Sequence, residues 1–244
     1  MKCVCFKLKG DYGHFKPYYT TSSPTTYSLM PPTALYGLLG AMLGLPKEDN
    51  LYYGKLDEAG LKIGIGILTP LRKASMSTNL INTKGNFWVP TGRNTNGVRT
   101  PTRYEYVVGQ EYLVFASMAD EELLEELADR LKGHRFAYSI SMGLAGLLAE
   151  AELLAYEEAR RLNLEDYIEL DTAVSVDALM GENPIGINGD IQYCRERYVK
   201  SFGDNRIPLE YVDVLFATNG KKIKVKCRKA YSMNGYTYAF LNED

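Results

Sequence analysis

Histidine and tryptophan are scarce in this chain, with two His and one Trp in 244 residues. Cysteine is nearly as sparse, at four (Cys3, Cys5, Cys194 and Cys227), and no two form a Cys-x-x-Cys pair. So few ligands at such spacing give no expectation of a metal site. Cys3 and Cys5 fall on the same side of a strand, where they are poorly placed to bond each other, so buried free thiols are expected. No run approaches the ~18 consecutive apolar residues of a membrane span. Met1-Lys2-Cys3-Val4 begins a strand at once, which leaves no room for a secretion signal and points to a cytoplasmic protein with no membrane partner. No GxSxG, Walker loop, HExxH or spaced carboxylate cluster appears, so no cofactor is called for. A net charge of −2 gives no global sign of a nucleic-acid partner.

One absence is local. Between Arg72 and Arg103 there is no Asp or Glu, while Arg72, Lys73, Lys84, Arg93, Arg99 and Arg103 are all present. The stretch is rich in Asn, Thr, Gly and Ser, has Phe87-Trp88 as its apolar anchor, and reads as a long projecting hairpin or loop. Cations without acids suit phosphate neutralisation, and flanking aromatics suit stacking on unpaired bases. A solvated loop is the plain alternative. Residues 118–170 are dominated by Asp and Glu, so the small net charge hides two opposite faces.

Hydrophobic content of 45% and charged content of 24% are those of a globular protein with a real core. Tyrosine is abundant at 19, which suits stacking surfaces and interfaces. The chain is organised around residues 10–45. A Gly- and aromatic-rich turn (Gly10, Tyr12, Gly13, His14, Phe15) leads through a polar run to Pro31-Pro32, and a helix follows from Thr33 to Leu43. Pro32 suits a first helical position, and Gly44 before Pro46 suits a C-cap. Gly37 and Gly40 are costly in a helix, at roughly 1 kcal/mol each against alanine. With Ala34 and Ala41 they ask for close packing or a bound ligand.

Lys2–Lys9 alternates as a half-buried strand, with Val4, Phe6 and Leu8 inward. A polar link runs through Asn50. Leu61–Leu68 is a second strand whose Gly64 and Gly66 leave a trough for another backbone. Tyr104–Ser117 reads as two short strands or one hairpin turning at Gly109-Gln110. Asp120–Lys132 is the clearest helix, acidic in its first turn and ended by Gly133. Ala149–Leu162 is helical on propensity alone. Ile168–Val176 is a strand, 181–189 a loop, and four strand-like runs near 190–200, 209–217, 222–230 and 236–241 finish the chain. The order is that of an α+β, ferredoxin-like or RRM-like domain over 1–164, with an insertion at about 72–103 and a β-rich region over 165–244.

Two basic or titratable features compete with plain readings. Lys222, Lys224, Lys226 and Arg228 share one strand face, either as a charged edge that resists aggregation or as an RNA groove. His14, beside Phe15, Lys16 and Tyr18, is either a general base or a histidine that bonds a turn or stacks on a base. His134 follows a helix and faces solvent.

Three quoted stretches resemble a known family. Gly10-Asp-Tyr-Gly-His-Phe15, Thr26-Tyr27 and the run from Pro31 to Leu45 resemble the N-terminal signature of the CRISPR-associated Cas-five proteins. These are RAMP-superfamily subunits of type I Cascade. Thr100–Tyr106 and Ser141–Ala149 extend the likeness to about two-thirds of the chain, closest to the type I-B branch. The resemblance implies an RRM-like body with a β-hairpin thumb over the acid-free insert. It also implies a strand from Ala149 onward, against helical propensity.

The resemblance further implies a non-catalytic subunit that holds the 5′ handle of the crRNA. Such a subunit caps the Cascade backbone, contacts Cas-seven and Cas-eight subunits, and meets target DNA indirectly. On this reading Tyr12, His14, Phe15 and Lys16 meet the handle, and Tyr36 and Gly37 let RNA backbone approach the helix. Arg72, Lys73, Arg93, Arg99 and Arg103 neutralise phosphates, and Phe15, Tyr27 and Trp88 stack on bases. The type I-C branch cuts RNA with a tyrosine, a lysine and a histidine, but this chain has no adjacent Lys-His pair. The alternative is a metal-independent endoribonuclease built on His14 and Tyr36. A stand-alone RNA binder is a third possibility.

Overall fold

The computed structural model describes residues 1–20, 24–82, 99–187, 189–203 and 206–243. Trp88 and Arg93 lie outside the described residues. Eight elements form the main body: β1 (Lys2–Gly13), α1 (Pro32–Leu43), α2 (Leu51–Glu58), β2 (Lys62–Ile67), β3 (Lys73–Ile81), β4 (Arg99–Ser117), α3 (Glu121–Gly133) and β5 (Glu150–Glu158). Their strands make one antiparallel sheet in the order β2-β4-β1-β5, with β3 pairing to the outer part of β4. The fold is a mixture of α and β.

β1 is central and buried on both faces, not half-buried. Val4, Phe6 and Leu8 enter the main core with α1 and α3, while Cys3 and Cys5 enter a second core with Phe115, Tyr238 and Phe240. Burial pushes the Cys3 thiol up to about 12, so it stays protonated and chemically quiet. The strand also runs on through Gly10–Gly13, where a turn was expected. Gly10 and Gly13 are needed there because the segment around Met142 crosses them. A Cβ on Gly10 would stand 2.8 Å from Met142 Cγ.

α1 begins at Pro32 and ends on Gly44, whose φ of 75° is left-handed and whose N–H donates to Gly40 O. α3 is capped by Asp120, whose side chain accepts from Leu123 N at 3.0 Å. It buries Leu124, Leu127 and Leu131. His134, which is exposed, takes the left-handed C-cap position.

Three sequence expectations are corrected. The polar link before β2 contains α2, whose only buried residue is Leu56, too thin an apolar stripe to read. The 104–117 region does not turn at Gly109; β4 is one strand of 19 residues. Gly109 has a φ of 58° and marks the place where β4 changes partner from β2 to β3. There the buried Gln110 amide donates to Thr69 O and Oγ1, both at 3.1 Å. Residues 168–176 hold two short strands rather than one. By contrast, 150–158 is a strand despite its helical propensity, because it pairs with β1 along Lys2–Lys9 and buries Ala151 against the core. Lys9 meets Glu150 at 2.8 Å and Lys7 meets Glu152 at 3.9 Å.

The rest of the chain adds β6 (Arg160–Arg161), β7 (Ile168–Leu170), β8 (Val174–Ser175), β9 (Tyr193–Phe202), β10 (Pro208–Ala217), β11 (Ile223–Val225), β12 (Tyr231–Met233) and β13 (Tyr236–Tyr238). Tyr198, Val212, Val214 and Phe216 share the main core with the first sheet. The glycine trough on β2 is filled by backbone. Ideal Cβ atoms on Gly64 and Gly66 would lie 2.8 Å from Ala239 O and 2.0 Å from Asp171 O. No helix among the described residues is long and apolar enough to cross a membrane.

Candidate nucleic-acid interface

The end of β1 delivers His14 to the middle of a tyrosine cluster. Its backbone N–H donates to Met142 O at 2.9 Å, and Gly143 passes so close to the His14 carbonyl that any Cβ there would collide. The side chain is 2% exposed. Nδ1 lies 2.7 Å from the carbonyl oxygen of Glu105, which only accepts, so Nδ1 carries a proton. The rings of Tyr104 and Tyr106 stand 5.1 and 5.8 Å from the imidazole, and Tyr12 meets Tyr106 edge-on. Among the described residues, His14 Nε2 has no hydrogen-bond partner although it is buried.

Strand alternation gives the β3–β4 ribbon two different faces. Tyr104, Tyr106, Met76, Thr78 and Leu80 share one, where Thr78 Oγ1 lies 3.1 Å from Tyr106 Oη. Arg99 and Arg103 lie on the other with Lys73, Ser75, Ser77 and Glu105. The arginines are exposed and are therefore presented away from the His14 cluster. Arg72 is exposed at the ribbon's base. Lys73 is occupied within the protein. Its Nζ donates to Thr26 O at 2.7 Å and lies 3.4 Å from Glu105 Oε2, which also accepts from Thr26 N.

A cleft runs from His14 along the outer face of α1. Its mouth holds His14, Lys16, Tyr104 and Arg206, with a volume of about 340 Å³. It continues past Thr33 and Ala34 into a larger space of about 650 Å³ floored by Gly37 and Ala41 and reaching Lys47. A Cβ on Gly37 would meet nothing within 4 Å, so packing does not require this glycine. Gly40 is different: a Cβ there would press on Tyr52 Cβ at 3.0 Å, so α2 accounts for it. Arg206 is held by Asn50 Oδ1 at 2.6 Å and by the Tyr52 hydroxyl at 3.3 Å.

The structure therefore brings together Tyr12, His14, Lys16 and Gly37 of the residues read from sequence. It removes three from the surface. Phe15 is buried in the main core. Tyr27 is buried against Tyr198 and donates to Arg197 O at 2.9 Å. Tyr36 is 4% exposed and stacks on Tyr53, and burial pushes its phenol above the usual range. Phe15 and Tyr27 are thus not open stacking platforms, and Tyr36 does not face the cleft. The Lys222–Arg228 face is largely paired. Lys222 meets Asp171 at 3.1 Å, Lys226 meets Asp166 at 3.0 Å, and Lys224 and Lys226 lie over the Tyr167 ring.

Tyr104, Tyr106 and Arg206 went unassigned in the sequence. The two tyrosines had a signal, because they alternate in the Thr100–Tyr106 stretch beside the basic window. Arg206 had none, since its partners lie some 150 positions away in the chain.

Residues 3–172 match the family described as CRISPR-associated protein (Cas_Cas5). The chain belongs to the CRISPR-associated Cas5 family. No curated protein matches it in sequence. Among solved structures it is similar to a CRISPR protein from Archaeoglobus fulgidus, with a TM-score of 0.56 and 13% identity over 100% of both chains. It is also similar to a chain of a CRISPR RNA-guided surveillance complex, with a TM-score of 0.53 and 11% identity over 91% of each. A chain of the type III-B Cmr-beta complex bound to cognate target RNA and AMPPnP gives a TM-score of 0.53 at 10% identity. The match covers 92% of this chain and 86% of that one. At these identities the likeness is one of fold. The match ends at residue 172, so Arg206 lies beyond the matched segment.

Proposed function

We propose that this chain is a non-cleaving RNA-binding subunit of an RNA-guided CRISPR complex. It holds the 5′ handle of the crRNA and caps the backbone beside Cas-seven and Cas-eight subunits, in a Cascade of the type I-B kind. The observation that carries this reading is the cleft along α1. It is floored by a glycine that packing does not require and has Lys16 and Arg206 at its mouth. An open glycine floor admits a sugar-phosphate backbone, and two cations at the entrance attract it. Exposed Tyr12 and half-buried Tyr104 take the stacking role that Phe15 and Tyr27 cannot.

The strand order β2-β4-β1-β5, with α1 and α3 as the connecting helices, supports a ferredoxin-like RAMP body. The β3–β4 ribbon, which leads to residues 83–98, supports a thumb. The buried, stacked Tyr36 is a poor partner for His14 in strand scission, which favours binding over cleavage.

Incubating the purified protein with labelled repeat RNA in EDTA tests both halves of the reading. The expected result is a retained, intact RNA. Cleavage at one position, lost in His14→Ala, would replace this reading with the endoribonuclease. Association with the Cas-seven and Cas-eight products of neighbouring genes is expected on co-expression.

A further inference from the structure

The buried face of His14 has a property that simple phosphate binding does not use. Its Nδ1 donates to a backbone carbonyl at 2.7 Å, so the tautomer is set by the fold. In a neutral imidazole the other nitrogen is then an acceptor with no proton of its own. That acceptor, Nε2, is buried without a partner among the described residues, on a residue that lines the cleft mouth. Buried polar atoms are paired in the large majority of cases, and an unpaired one carries a desolvation cost. A ligand that brings a hydrogen-bond donor to this point removes that cost.

We infer that His14 Nε2 accepts a hydrogen bond from a ribose 2′-hydroxyl, and so makes the cleft selective for RNA over DNA. The inference rests on the RNA-binding reading above and assigns the sugar rather than the phosphate or base to His14. The donor's identity follows from its surroundings. Lys16 and Arg206 share the cleft mouth and are matched to phosphate, so the part of the strand beside them is backbone. A phosphate diester offers acceptors only, and the one backbone donor that RNA has is the 2′-hydroxyl, which DNA lacks. The half-buried Tyr104 ring stands edge-on to the imidazole at 5.1 Å and lines the same cleft. Tyr104 therefore stands beside both the imidazole and the bound strand, where its ring can stack on the adjoining base.

A coupled scan tests the inference. Repeat-derived RNAs carrying one 2′-deoxy substitution at each position of the 5′ segment are titrated against wild type and His14→Asn. The asparagine amide retains a donor toward Glu105 O but offers nothing at Nε2. The expected result is one sugar position where 2′-deoxy costs wild type about fivefold to tenfold in affinity, and where the same change costs His14→Asn nothing. Equal losses in both proteins at every position would overturn the inference, as would coupling to a base substitution instead.

Because His14→Asn disturbs a buried site, a second measurement uses the unaltered protein. With only two histidines, 15N-histidine spectra resolve each ring. Bound RNA is expected to shift the bare Nε2 resonance of His14, and the 2′-deoxy oligonucleotide to leave it in place. Identical spectra with both would overturn the inference. Failure of wild type to bind any RNA would remove the reading beneath it, a result distinct from binding without sugar coupling.

Discussion

At the scale of single residues, the molecule separates glycines that packing demands from one that it does not. Gly40 is pressed by Tyr52, whereas Gly37, one turn earlier on the same helix, faces open space. Replacing Gly37 by alanine should therefore stabilise the protein by up to about 1 kcal/mol, seen as a higher urea midpoint. Gly37→Phe should keep the fold but reduce RNA affinity by about tenfold or more, since it fills the cleft floor. Equal affinities for wild type and Gly37→Phe would put the RNA elsewhere. The sequence marked both glycines as needing an explanation, but only the position of α2 says which explanation belongs to which. The same limit applies to Phe15, Tyr27 and Tyr36. An aromatic side chain carries no local mark of whether it will stack on a ligand or on Tyr53. Burial of Tyr27 depends on Arg197 and Tyr198, which come from the other end of the chain.

At the scale of elements, what was legible rested on local rules. Pro32 and Gly44 bound α1, and Asp120 caps α3, because capping chemistry is decided within a few residues. The paired glycines of β2 were legible for a related reason. A strand that lacks Cβ atoms on one face invites a close neighbour, and Asp171 and Ala239 supply it. Gly66→Ala should consequently destabilise by about 3 kcal/mol. The Asp171 backbone cannot easily yield, being held by Thr237 and by the Lys222 ion pair. A urea midpoint within error of wild type would show that this segment moves aside freely. Elements decided by distant partners were misread. β5 has helical propensity and becomes a strand by pairing with the distant β1, and the family resemblance, not propensity, anticipated it. β4 looked like a hairpin because a glycine marks a turn as readily as a left-handed residue inside a continuous strand.

At the scale of the whole molecule, charge is distributed by face rather than by domain. Arg99 and Arg103 are displayed together on one side of the ribbon, and the tyrosines lie on the other. If those arginines neutralise phosphates, Arg99→Ala with Arg103→Ala should lower RNA affinity and reduce the slope of log affinity against log salt by about 1 per lost contact. An unchanged slope would assign the arginine face to a partner protein. The two faces also follow from a single strand. β4 extends roughly 60 Å at about 3.3 Å per residue. Its inner half is hydrogen-bonded into the core, and its outer half carries the ribbon. The left-handed Gly109 lies between them, with open space around it. β1 runs past this point on the other side, with Gly10 opposite Gln110, Tyr12 opposite Val108 and Gly13 opposite Val107, so one continuous neighbour splints the two halves of β4. The ribbon and the strand that delivers His14 are thus tied together by backbone pairing, and neither is set independently of the other.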